Sequence, residues 1–203
     1  MKIGIIGAGM IGGTLGRLWL DSGYEVRYGT RHPDRVSVPG AASGTVAAAA
    51  AWAEVLVISI PLGATPEVAR AIGAAAAGKV ILDTGNVIAG REPAIAAEIE
   101  AGGQGSGVWV ARHFPGARLV KAFNTVYFQV LKSRSGDRED PLGIPLASDD
   151  TEAMELARRL VADAGFEAVP VGALAESRRF DAGTPVWNSG AGARELRRHF
   201  AQG

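Results

Sequence analysis

Three glycines, Gly7, Gly9 and Gly12, are spaced as G-x-G-x-x-G between a short apolar run at residues 3–6 and a helical pattern at residues 10–22. That placement constrains the fold more than any other feature of the chain. An apolar β-run that turns at once into a helix is the first half of a strand–helix–strand unit. In such a turn the first glycine permits a tight bend and the second leaves the backbone bare where a pyrophosphate can approach. The third lets the helix pack closely on the strand. The N–H groups that open the helix have no partners within it and would face such an anion.

The alternation continues along the chain. Residues 25–28, 55–60, 80–82 and 119–122 are short, apolar-leaning runs ended by Gly, Pro, Asp or Asn, as buried parallel strands are. Helical patterns at 65–77 and 92–101 lie between them, and the alanine run 47–51 reads as a further short helix. Ile11, Leu15, Leu18 and Trp19 share one face of the first helix. After Thr125 a charged stretch, residues 133–140, reads as an exposed loop. It precedes a strand at 144–147, a helix at 151–164 capped by Asp150 or Thr151 and stopped by Gly165, and a strand at 167–171. Residues 173–200 read as helical segments broken near Gly183-Thr184-Pro185 and Gly190.

Parallel neighbours need crossovers that cover a face of the sheet. The expected class is therefore α/β: a Rossmann-type, doubly wound, mostly parallel sheet with a small C-terminal α/β extension. The nucleotide-binding domain is expected over residues 1–142. The extension, residues 143–203, is expected to pack on the sheet and form one wall of a cleft.

The 21 basic residues balance 21 acidic ones, so nothing in the charge calls for nucleic acid or an anionic membrane as partner. With no cysteine there is no thiolate nucleophile, and three scattered histidines without metal-ligand spacing argue against a metal site. The apolar start of the chain is short and soon interrupted by glycine, unlike a signal peptide or membrane span, so a cytoplasmic location is expected. A symmetric homodimer is the default assembly.

At the end of the second strand an NAD-binding protein would place an acidic residue for the ribose hydroxyls, roughly 20 residues beyond the glycines. This chain has Thr30-Arg31-His32-Pro33-Asp34-Arg35 instead. A hydroxyl and a guanidinium there complement a 2′-phosphate, with Arg35 as a second positive charge, so NADP(H) is expected over NAD. Ligands of such sheets lie beyond the carboxyl ends of the strands. Ile60-Pro61, Asn86 and Asn124-Thr125 fall there. Asn86, Asn124 and Thr125 can hydrogen-bond near a nicotinamide or cap the helices that follow. Asp83 is expected to fix its own turn.

Taken together, residues 7–12, Tyr28-Gly29-Thr30-Arg31, Ile58-Ser59-Ile60-Pro61, Leu82-Asp83-Thr84-Gly85-Asn86 and 115–125, ending Lys121-Ala122-Phe123-Asn124-Thr125, resemble a known family. It is the NADP oxidoreductase family that includes coenzyme F420-dependent NADP reductases. The chain is also similar to the cytosolic oxidoreductase domain of the six-transmembrane ferric reductases. The resemblance implies that Gly7, Gly9, Met10, Ile11 and Gly12 face the pyrophosphate and that Thr30, Arg31 and Arg35 hold the 2′-phosphate. It implies that Ile60, Pro61, Asn86, Ala122, Phe123 and Asn124 frame the nicotinamide end. It further implies direct hydride transfer between nicotinamide and a small-molecule redox acceptor, coenzyme F420 or a flavin, with no catalytic side chain. The alternatives are an NADPH-dependent reductase of a small carbonyl or imine, for which only Lys121 and Tyr127 come near as proton donors, and a non-catalytic NADP(H)-sensing module. Trp187 and Asn188 either border the second ring or belong to the core.

Overall fold

The computed structural model describes residues 1–202. Eight strands form one sheet: β1 (Lys2–Ile6), β2 (Glu25–Gly29), β3 (Ala42–Gly44), β4 (Val55–Ile58), β5 (Val80–Asp83), β6 (Arg118–Lys121), β7 (Gly143–Ser148) and β8 (Glu167–Gly172). Their order is β3-β2-β1-β4-β5-β6-β7-β8. The first six run parallel, β7 is antiparallel to β6, and β8 is parallel to β7. The helices are α1 (Met10–Asp21), α2 (Val46–Trp52), α3 (Thr65–Ile72), α4 (Pro93–Gly102), α5 (Gly105–Ala111), α6 (Phe128–Arg134), α7 (Thr151–Asp163) and α8 (Ala193–Ala201). The expected Rossmann-type sheet is therefore present.

Alternation along each strand divides the core into two layers. Ile3 and Ile5 of β1, Val55 and Val57 of β4, and Val80 and Leu82 of β5 face a cluster completed by Leu15 and Trp19 of α1 and by Leu160 and Val161 of α7. Ile6, Leu56, Ile58 and Ile81 face the opposite cluster, with Ala49 and Ala50 of α2, Ile72 of α3, and Trp109 and Val110 of α5. Gly4 lies under α2, where an added Cβ would stand 2.7 Å from the Cβ of Ala53. α2, reached by way of β3, and α3 cover the face opposite α1. The strand order thus reverses at β1, and a crevice opens between the carboxyl ends of β1 and β4.

The C-terminal segment adds β7 and β8 to the same sheet rather than stacking a separate layer on it. A smaller cluster of Ala147, Val169, Phe180, Val186, Ala193 and Leu196 fastens its remaining turns. Asp150 caps α7, its Oδ1 accepting from the N–H of Ala153 at 2.8 Å, and Gly165 follows the helix at φ +86°. The helix expected over 65–77 is shorter, because Gly73 takes φ +55° and residues 73–76 continue as a 3-10 turn. β3, α5 and α6 had no counterpart in the sequence pattern.

Candidate functional site

Hydrogen bonds carry the strand pairing one residue past each strand end and build a continuous rim. The N–H of Gly7 donates to Gly29 O (3.0 Å), Ser59 to Ile6 O (2.8 Å), Thr84 to Ile58 O (3.0 Å) and Ala122 to Asp83 O (3.0 Å). Each glycine of the first turn meets a different requirement. Gly7 has φ +104°, and a Cβ there would stand 2.1 Å from Ser59 O. A Cβ on Gly12 would stand 2.2 Å from Gly7 O, so α1 lies directly on the turn. A Cβ on Gly9 would meet nothing within 4 Å: it would project into open space.

That space is one of two adjoining hollows. The first, about 270 Å³, is lined by Gly7, Gly9, Gly29, Thr30, Arg31, Ser59, Ile60 and Pro61, with Val46 and the α3 residues Glu67, Val68 and Ala71. The second, about 620 Å³, shares Gly9, Ser59, Ile60 and Pro61 with it and extends past Met10, Ile11, Thr84, Gly85 and Asn86 to Ile88, Arg91 and Glu92. Met10 is 66 % exposed at its mouth. Gly9 precedes α1 and offers no side-chain cap, and the first turn holds no acidic residue, leaving its opening N–H groups unopposed. At the far end of the first hollow the Thr30 hydroxyl accepts from the N–H of His32 (3.3 Å), and the Ser43 hydroxyl donates to Pro33 O (3.0 Å), tethering the loop. Arg35 is exposed on that loop and lines neither hollow.

Beneath the second hollow lies a buried polar network. Lys121, wholly buried, donates to Asp83 Oδ2 at 2.7 Å and to Gly85 O at 2.6 Å, and Asp83 Oδ1 accepts from the N–H of Gly85 at 2.9 Å. The ends of β5 and β6 are locked together in this way. Asn86 Nδ2 donates to Asn124 O (2.7 Å), while Asn124 Nδ2 donates to Asn86 Oδ1 (3.2 Å) and to Phe180 O (3.0 Å). The N–H of Asn188 donates to Thr125 O at 2.7 Å. Residues 143–202 thus reach the rim through Phe180 and Asn188, and none of them lines either hollow.

Of the residues singled out in the sequence, Gly7, Gly9, Met10, Ile11, Thr30, Arg31, Ile60, Pro61 and Asn86 come together around the two hollows. Gly12 lies just behind them as a packing residue. Ala122 and Phe123 are core: the Phe123 ring packs edge-on to Trp19 and Phe166, with centroids 6.0 and 6.1 Å away. Asn124 is buried behind Asn86. Phe123 has φ +61°, a left-handed conformation costly for an aromatic residue and held by its packing. Sequence reading missed Val46, Glu67, Val68 and Ala71 as lining residues. Only the helical spacing of the last three could have signalled them.

A bare glycine backbone, an uncapped helix start and a hydroxyl–guanidinium pair at one end are the features a 2′-phosphorylated dinucleotide requires, and the first hollow fits that group. The fold is of the Rossmann class, and the rim has the form of its dinucleotide sites. Residues 2–87 match the sequence model of the family described as NADP oxidoreductase, coenzyme F420-dependent, so the resemblance read from the sequence holds over that span. An NADP-dependent oxidoreductase, the coarse functional expectation, agrees with that description. The chain is 25 % identical over 183 residues to metalloreductase STEAP3 of Rattus norvegicus, covering 89 % of this chain and 36 % of the relative. It thus spans about a third of that protein. Among solved structures it is similar to a hypothetical protein, SMa0349, from Sinorhizobium meliloti, with TM-score 0.79, 23 % identity and 92 % of each chain covered. It is also similar to a chain assigned as an F420-dependent NADP-reductase from Arthrobacter sp. FB24. There the TM-score is 0.68 at 23 % identity, covering 88 % of this chain and 87 % of that one.

Proposed function

We propose that this protein is a cytoplasmic NADP(H)-dependent oxidoreductase that passes a hydride between nicotinamide and a small-molecule acceptor, a deazaflavin of the F420 type or a flavin. The observation that carries this reading is the continuity of the two hollows across Gly9, Ser59, Ile60 and Pro61. One end offers a hydroxyl and a guanidinium; the other opens into a wider cleft with a largely apolar lining.

When bound, the dinucleotide and the second ring supply the redox chemistry themselves. The chain's own residues bind, orient and exclude water. Gly7, Gly9, Met10 and Ile11 face the pyrophosphate, with Gly12 setting the closeness of α1. Thr30 and Arg31 take the 2′-phosphate, and Arg35 adds positive charge from the exposed side of the loop. Ile60, Pro61 and Asn86 frame the nicotinamide end, backed by Ala122, Phe123 and Asn124. The two side chains that stood as candidate proton donors are badly placed for that work: Lys121 is buried in its ion pair, and Tyr127, 50 % exposed, lines neither hollow. Ring-to-ring transfer needs no such donor. The proposal keeps a symmetric homodimer, with neither nucleic acid nor membrane as partner.

The test is to mix the purified protein with NADPH and, separately, oxidised deazaflavin, FMN and FAD, and to follow the visible absorption of each acceptor. Rapid bleaching of one of them is expected. If NADPH binds and none is bleached, the ring-to-ring reading fails.

A further inference from the structure

The first hollow contains one carboxylate. Ala64, Glu67, Val68 and Ala71 follow one another at helical spacing, so they form a single face at the start of α3, and all four line the hollow. Three are small and apolar; the fourth is an acid. Among the described residues no ion pair engages Glu67. A carboxylate beside a slot that receives a phosphorylated ligand repels that ligand unless some group on it donates a hydrogen bond in return.

An apolar slot formed by Val46, Ala64, Val68 and Ala71 suits the flat face of a purine ring. Of the purines, adenine carries an amino group, a donor, at the position where guanine and hypoxanthine carry an oxygen acceptor. We infer that Glu67 reads the base of the dinucleotide, its carboxylate accepting a hydrogen bond from the adenine 6-amino group, so that the site selects adenine and rejects 6-oxopurines. Both halves of the discrimination come from one group. With adenine the bond is charge-assisted; with a 6-oxopurine held in the same pose two acceptors meet. This inference rests on the NADP(H) reading and adds to it a determinant of base specificity.

The experiment is calorimetric titration of the wild-type protein, Glu67→Ala and Glu67→Gln with NADP+ and with its hypoxanthine analogue. The wild type should bind NADP+ at least about 10-fold more tightly, the size expected of one hydrogen bond to a charged group. In Glu67→Ala the ratio should shrink to within about 3-fold, the margin left once a single polar contact is gone. Glu67→Gln should narrow it chiefly by binding the hypoxanthine form better, since an amide can donate to the 6-oxygen. A wild-type ratio near unity, or a ratio undiminished in Glu67→Ala, overturns the role of Glu67 and leaves NADP(H) binding standing. Failure of the wild type to bind either nucleotide overturns the NADP(H) reading itself, and Glu67 with it.

Discussion

Arg31 is the residue on which cofactor choice turns in the proposed reading. It lines the first hollow beside Thr30, on the strand end where an acidic residue would serve NAD. Replacing it with alanine should weaken NADPH binding by about 1.5–3 kcal/mol, the range for a hydrogen bond to a charged group, while NADH binding barely changes. Fluorescence titration with both nucleotides checks this, and equal losses would remove Arg31 from the phosphate site. The placement of Arg31, Gly7 and Gly9 at the hollow was legible in the sequence because it follows from backbone position: they stand where β1 and β2 end. Glu67 was not legible, since its relevance depends on which face of α3 turns inward. Ala122 and Phe123 sit one and two steps past a strand end, close to where Ser59 does, yet their side chains enter the core. The left-handed turn at Phe123 determines that direction, and an aromatic residue gives no sequence signal for such a turn.

Between elements, the Lys121–Asp83 pair joins β5 to β6 and fixes the loop that carries Gly85 and Asn86. Both side chains are out of water, so removing one leaves the other charged, buried and alone. Lys121→Met should cost about 3–5 kcal/mol in urea denaturation, the usual penalty for breaking a buried pair. Adding Asp83→Leu should return part of that loss, because the stranded charge goes too. If the double variant loses as much as the two single variants summed, the two groups are not energetically coupled. The sequence suggested a turn-fixing role for Asp83 but gave no partner, because the partner lies on the adjacent strand. The elements absent from the sequence reading were hidden for local reasons. α5, Gly105–Ala111, is glycine-rich and is held by tertiary contacts: Asp181 accepts from Ser106 N–H (2.7 Å) and from its hydroxyl (2.6 Å). α6 ends at Arg134, inside the charged stretch that reads as loop, and β3 is three residues long and exposed.

At the scale of the whole molecule, alkaline pH should loosen the fold. Burial pushes the Tyr28 phenol, on β2 beside the edge strand, up to about 12. Burial also raises Tyr24 to about 12, helped by the hydrogen bond its hydroxyl donates to Asp163. An unfolded tyrosine ionises near pH 10, so above that pH the unfolded chain releases protons that the native one keeps. The contribution of Tyr28 is therefore whole below pH 10 and lost as pH rises toward 12, by about 1 kcal/mol at pH 11. Urea midpoints at pH 8 and 11 should show this loss, and Tyr28→Phe should reduce it; an unchanged pH difference in that variant would assign the effect elsewhere. The sheet as a whole was legible from its alternation, except that the antiparallel entry of β7 depends on a long connection whose path no local pattern records. That entry leaves β8 as an outer strand with Pro170 exposed at its middle. Proline has no N–H to give, so a second copy laid alongside β8 would find no donor at that position. The chain is thereby guarded against polymerising sheet to sheet at this border.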